Sequence, residues 1–328
     1  GNANACCDGS MENARRMAAC AARALHVKPE DVVVGSTGVI GQTINIDAIE
    51  TAIPAAAKQL STEGSPAAAN AIMTTDTVPK EAAVALEIDG KTVHIGGISK
   101  GSGMIHPNMG TMLCFLTTDC AISKDMVQEA LREAVRRSFN RISVDGDTST
   151  NDTCVLLANG MAGNGEIQSK DEAYALFAEA LTALCIQLAR RMARDGEGAK
   201  HLITCTVSGA KSEAAAEVIA KSVIGSSLTK AAIFGCDANW GRVLCAMGYS
   251  GETFDPDAVD VTFASEAGSI AVCRAGRGLD FDEALAKKVL SAEEVVIEIA
   301  MGAGEGSCTC WGCDLTYDYV RINGDYRT

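Results

Sequence analysis

Positive charge is what this chain has little of. Lys and Arg number 28 against 42 Asp and Glu, a net charge of −14. That argues against a nucleic acid or an anionic membrane as partner, since either needs a basic face to displace counter-ions. Long hydrophobic runs are lacking too: none reaches the roughly 18 residues of a membrane span, and no basic start precedes an apolar stretch. There is no repeat of fixed period and no low-complexity linker. The four histidines, His26, His94, His106 and His201, are far apart in sequence and form no readable constellation. Both common phosphate-loop signatures are missing. Gly35, Gly38 and Gly41 recur every third residue, unlike a dinucleotide fingerprint, and Lys100 precedes Gly101-Ser102-Gly103 instead of following the glycines.

Apolar content is ample. Hydrophobic residues make up 47% of 328 residues, enough to bury two packed domains or one large α/β domain and to argue against wholesale disorder. The expectation is a soluble acidic globule. Fourteen cysteines are scattered through apolar segments (Cys114, Cys154, Cys185, Cys205, Cys245), which predicts reduced, buried thiols in a cytoplasmic protein. Cys308, Cys310 and Cys313 imitate a metal clip, but three thiols without a second cluster make a poor zinc site, and no metal is expected. The opening Gly1-Asn2-Ala3-Asn4-Ala5-Cys6 lacks a Met and reads as the interior of a longer chain.

Periodicity predicts a capped helix over 10–25, a short strand over 31–35, and strands over 82–88 and 92–98 joined by an Asp89-Gly90 hairpin turn. A glycine-dense stretch, 96–110, then feeds a buried strand over 111–116 and is the best internal boundary. Helices follow over 124–139, 172–193, 211–222 and 281–290. Strands are expected over 141–144, 201–207, 231–235, 259–263, 270–273 and 295–299, with a last alternating one over 315–322.

Thr111 is the sharpest candidate for chemistry. A Thr hydroxyl is a poor nucleophile until a base takes its proton, and one solution is the residue's own α-amine, freed by cutting the chain just before it. That needs a small-residue loop before the Thr and a core strand after it, as at Gly110-Thr111-Met112-Leu113. On spacing alone, an ordinary Thr at a strand start is the commoner outcome. Thr37 and Gly38 offer a hydroxyl and an exposed N–H, the parts of an oxyanion hole, although a plain turn has the same pattern. Glu197 in Asp195-Gly196-Glu197-Gly198 is either a solvated turn carboxylate or an ammonium acceptor.

Taken together and in order, several motifs resemble the ornithine acetyltransferase family of arginine biosynthesis. They are Gly1–Cys6, Ser36 to Gly41, Met73 to Thr77, Lys100 to Met104 with Pro107-Asn108-Met109, and Ser138 to Arg141 with Asp145 to Asp152. Asp195 to Ala199, Asn239-Trp240-Gly241-Arg242 and the ending from Trp311 to Thr328 complete the set. The resemblance implies a layered α/β fold, shared with DmpA-like aminopeptidases, carrying an N-terminal-nucleophile-type site. It implies a precursor that cuts itself between Gly110 and Thr111, giving an α part (1–110, its N-terminal segment missing) and a β chain (111–328). Thr111 would be the nucleophile and become acetylated, with Thr37 and Gly38 as the oxyanion hole. Thr74, Lys100, Thr111, Glu197, Asn323 and Thr328 would bind substrate.

The implied reaction moves acetyl from N2-acetylornithine to glutamate. Acetyl-CoA is a second donor in some members; no cofactor is expected otherwise. The implied partners are small amino acids and a second α/β pair, in the cytoplasm. Lys100 suits an α-carboxylate and Glu197 an ammonium. Gly110 replaces the Ala usual before the nucleophile. Two rivals remain: a self-processing N-terminal-Thr amidase or aminopeptidase, and a non-catalytic amino-acid-binding protein.

Overall fold

The structure is a computed structural model and describes residues 2–106 and 112–325. Three helices come first: α1 (Ser10–Leu25), α2 (Ile46–Ala57) and α3 (Ser65–Ala71). Arg16 of α1 pairs with Asp47 at 2.8 Å and Glu50 at 2.7 Å on α2, over a small core of Met17, Ile44 and Ile46. Then come strands β1 (Lys80–Ile88), β2 (Lys91–Lys100) and β3 (Leu113–Thr118), helix α4 (Lys124–Arg137), strands β4 (Ile142–Ser143) and β5 (Thr153–Ala158), and helix α5 (Glu172–Arg194). Next are β6 (Leu202–Ala210), α6 (Glu213–Gly225), α7 (Ser227–Phe234), α8 (Trp240–Gly248), β7 (Asp260–Ser265), β8 (Gly268–Arg274) and β9 (Arg277–Gly278). The chain closes with α9 (Glu283–Leu290), β10 (Glu294–Ala300), β11 (Gly306–Cys313) and α10 (Tyr317–Asp325).

The strands form two sheets, β1-β2-β3-β5 and β4-β11-β6-β10-β7-β8-β9. Helices α4 and α5 fill the space between them; α5 touches β1 and β2 on one side and β11 and β6 on the other. Period-2 alternation sends neighbouring side chains to opposite faces. Leu202, Trp311 and Cys313 therefore join the core with α5, while Ile203, Cys308 and Cys310 face α6, α8 and α9. The result is four layers, sheet, helices, sheet, helices, as the resemblance implies.

Helix α5 starts on Asp171, whose side chain accepts from Tyr174 N, and buries Phe177, Leu181, Leu188 and Met192. By length and composition alone it could cross a membrane, its most apolar 18-residue window having a mean hydropathy of 1.3, although charged residues such as Glu179 interrupt the apolar run. Packing between two sheets accounts for that composition. The β1–β2 hairpin turns where expected, with φ 52° at Asp89 and 68° at Gly90, the left-handed pair such a turn requires.

Several expectations fail. Residues 32–37 carry no strand; the chain runs half-buried there except for the exposed Val33, and β-branched residues alone do not make a strand without a ladder partner. The expected strand over 231–235 is the end of helix α7, started by Ser226, whose hydroxyl accepts from Thr229 N. The expected terminal strand over 315–322 is helix α10, with Thr316 Oγ1 accepting from Tyr319 N at 3.4 Å. The last strand lies earlier, at Gly306–Cys313, so Cys308, Cys310 and Cys313 are buried sheet residues. Of the five thiols expected in the core, Cys245 is exposed and Cys154 half-buried.

Candidate active site

One cleft gathers most of the residues singled out from the sequence. Thr37, Gly38, Thr74, Lys100 and Glu197 line it together with Asn323, although they come from a loop before α2, a turn before β1, the end of β2, the turn after α5, and α10. Gly110, Thr111 and Thr328 lie outside the described residues.

Lys100 is buried. Its Nζ donates to Thr74 Oγ1 at 2.8 Å and stands 3.5 Å from Asp76 Oδ2. Asp76 Oδ1 accepts from Lys80 Nζ at 2.7 Å and from the Gly101 amide at 2.7 Å. Lys80, with no exposed surface, also reaches Asp195 Oδ2 at 2.6 Å. Asp195 further accepts from the amide and hydroxyl of Thr77. Two cations and two carboxylates thus alternate in a buried network in which every charge has an opposite neighbour, the condition for keeping such groups buried. Burial alone would raise the Asp76 carboxyl, but Lys100 and Lys80 overcome it and hold it below the usual carboxylate range. Lys80 was missed from sequence, and Asp195 was quoted only as part of the motif that holds Glu197; residues 76–79 form no helix or strand whose period could have paired Asp76 with Lys80.

Glu197 is no solvated turn residue. It is 6% exposed, its amide donates to Ser102 O at 2.8 Å, and its Oε2 accepts from Asn323 Nδ2 at 2.7 Å. A Cβ on Gly103 would lie 2.4–2.5 Å from its carboxylate, so a glycine is required there for Glu197 to face the cleft. Asn323 sits on helix α10 instead of the expected strand.

Asp145, which opens one of the motifs quoted from the sequence but was given no role there, accepts from Met104 N at 2.6 Å, Ile105 N at 2.9 Å and Tyr319 Oη at 3.2 Å. It clamps the loop that leaves Lys100 and ties α10 to it. Gly38, at φ 130°, adopts backbone that a side chain would strain. The neighbouring Ser36 carbonyl accepts from Asn151 Nδ2, which holds this loop against the chain before β5. His106 donates to or accepts from Ser143 Oγ at 3.0 Å; burial first, then Lys221, lowers its pKa and favours the neutral ring. No group of three or more metal-ligating side chains is assembled among the described residues.

A cation and a carboxylate, both buried and both facing one cleft beside a Thr–Gly pair, suit a small zwitterion whose reacting carbonyl needs hydrogen-bond donors. Residues 1–328 match the ArgJ family throughout. The chain belongs to the ArgJ family. The "Arginine biosynthesis bifunctional protein ArgJ" of Symbiobacterium thermophilum is 56% identical over 329 residues, covering all of this chain and 81% of the relative. ArgJ 1 of Clostridium acetobutylicum is 51% identical with the same coverage. The crystal structure of argJ from Bacillus halodurans aligns with a TM-score of 0.62 at 43% identity, over 65% of this chain and 98% of the solved one.

Proposed function

We propose that the protein transfers acetyl from N2-acetyl-L-ornithine to L-glutamate through an acetyl ester on Thr111, after self-cleavage between Gly110 and Thr111. The observation that carries this is the pairing of buried Lys100 and Glu197 in one cleft with Thr37 and Gly38. The names of the relatives place them in arginine biosynthesis. The solved ArgJ chain is covered almost whole by 65% of this one, about the share that a chain starting at Thr111 would occupy.

The freed α-amine of Thr111 takes the hydroxyl proton as Oγ1 attacks the acetyl carbonyl. Thr37 Oγ1 and the Gly38 N–H donate to the oxyanion. The proton passes to the departing ornithine nitrogen, leaving the acetyl ester. Glutamate's α-amine then attacks the ester, N-acetylglutamate leaves, and the Thr111 hydroxyl is restored. Lys100 holds the α-carboxylate common to both amino acids. Glu197, steadied by Asn323, holds an ammonium group of the donor. Thr74 orients the Lys100 ammonium, and Thr328 adds a substrate contact. Acetyl-CoA serves as a second donor, in keeping with the word "bifunctional" in the relatives' names. No bound cofactor is needed. The working unit is a dimer of α/β pairs, in the cytoplasm.

The test is the fate of the acetyl group. With N2-acetylornithine and glutamate together, N-acetylglutamate should form and free acetate should stay minor. Acetate released at the same rate with or without glutamate would make the protein an amidase. Binding of ornithine with no turnover would leave a binding protein.

A further inference from the structure

Helix α10 carries a cleft residue, Asn323, yet none of its side chains is fully buried. Helices in proteins are ordinarily seated by an apolar face pressed into the core. Polar tethers take that part at α10. Thr316 Oγ1, one residue before the helix, donates to Gly198 O at 2.7 Å. Asn323 Nδ2 donates to Glu197 Oε2 at 2.7 Å, and Tyr319 Oη donates to Asp145 Oδ2 at 3.2 Å. The ring edge of Tyr317 against Phe234, at 5.4 Å between centroids, adds an apolar contact.

Tyr319 is joined to both sides of the cleft that it lines. On one side its hydroxyl reaches Asp145, which holds the amides of Met104 and Ile105 in the loop leaving Lys100. On the other its backbone carbonyl accepts from Asn323 Nδ2 at 3.1 Å, the amide group that also holds Glu197. One helical turn thus fixes Asn323 relative to Tyr319. The turn carrying Glu197 is pressed against the same residue, since a Cβ on Gly198 would lie 2.7 Å from Tyr319 N. Burial first, then Asp145 and Glu197, raise the pKa of the phenol, so it keeps its proton and donates to a carboxylate. Without that hydroxyl Asp145 would keep three amide donors, those of Met104, Ile105 and Asp147. The Tyr319–Asp145 bond is therefore not needed to satisfy the carboxylate, and its consequence is where α10 sits.

We propose that Tyr319 is a positioning residue for amino-acid binding: its hydrogen bond to Asp145 seats α10 so that Asn323 steadies Glu197 for the ligand's ammonium group. This rests on the substrate reading above. The ligand is a small amino acid with a side-chain ammonium for Glu197 and an α-carboxylate for Lys100. Tyr319 acts through Asn323 and not on the ligand. Without the hydroxyl, α10 leaves its seat more of the time and Asn323 moves with it. Affinity then falls with the fraction of molecules in which Glu197 is still held. Because α10 has little burial to hold it, that fraction responds strongly to the loss of one charge-assisted hydrogen bond.

The experiment titrates ornithine into the full-length wild type, Tyr319→Phe, Asn323→Ala and the double variant by calorimetry, beside steady-state acetyl transfer from N2-acetylornithine to glutamate. Ornithine has the α-carboxylate and the side-chain ammonium of the donor. Tyr319→Phe should weaken ornithine about fivefold and raise the donor's KM by the same factor, with kcat within about twofold and the melting temperature nearly unchanged. Hydrogen exchange at the α10 amides should speed up. In the Asn323→Ala background the same change should weaken binding no further, because the group it acts through is gone. Three results would overturn the proposal: a Tyr319→Phe affinity within about twofold of wild type, a loss that adds in full to that of Asn323→Ala, or a fall in kcat and melting temperature at an unchanged KM. The second of these would put the hydroxyl on the ligand itself. A wild type that neither binds ornithine nor turns over N2-acetylornithine overturns the substrate reading instead, which is a separate outcome.

Discussion

Glu197 and Gly103 are coupled by contact: the glycine's missing Cβ is the space that the carboxylate occupies. Gly103→Ala should therefore displace Glu197 and raise KM for N2-acetylornithine about 10-fold or more while the melting temperature falls only slightly; steady-state kinetics beside a thermal melt separates the two. Glu197→Gln should raise the donor's KM too, and an unchanged value would remove Glu197 from the binding site. Lys80 answers to stability instead. Lys80→Met leaves Asp76 and Asp195 buried without their shared cation, at a cost of about 3–5 kcal/mol, read by denaturant unfolding. Asp76 is held below its ordinary value, so its contribution is fully present above the unfolded pKa of about 3.9 and is lost as pH falls through the lower folded value. Lys80→Met should flatten that acid limb. The motifs holding Asp76, Lys100 and Asp195 were legible, but Lys80 and the pairing were not, since Asp195 lies 115 residues from Lys80 and only the fold joins them.

Among the elements, helix α10 delivers Asn323 to Glu197, and Thr316 begins it. Thr316 Oγ1 donates to Gly198 O at 2.7 Å and accepts from Tyr319 N at 3.4 Å, linking the helix start to the turn that carries Glu197. Thr316→Val should loosen that start by about 1 kcal/mol and raise KM more than it lowers kcat. An unchanged KM would show that α10 holds its place without this cap. The same helix shows where sequence reasoning stops. The segment 231–235 is a short apolar run whose period cannot separate strand from helix, and 315–322 alternates over too few residues to exclude a helix; their caps, Ser226 and Thr316, decide the matter. The long patterns 10–25, 124–139 and 172–193 were legible because several turns repeat one apolar face. The hairpin was legible from Asp89-Gly90. The strand Gly306–Cys313 was hidden because glycines and cysteines break its alternation, and its burial depends on sheet neighbours far away in the chain.

At the scale of the molecule, the expected cut falls between strands that pair with each other. β2 and β3 are antiparallel partners from Ile95 opposite Thr118 to Lys100 opposite Leu113, and β5 continues the sheet. The two products therefore share one sheet and one core, and the cut protein should unfold in a single calorimetric transition; two transitions would contradict that. The cleft draws on both products as well, with Thr37, Thr74 and Lys100 before the cut and Glu197 and Asn323 after it. The most direct measurement is an intact-mass spectrum of the full-length protein before and after incubation with N2-acetylornithine alone. The account predicts two chains divided at Gly110/Thr111, with the mass of one acetyl group added only to the chain that begins at Thr111 and lost again when glutamate is supplied. A well-folded single chain, or two chains neither of which takes up acetyl, would contradict it.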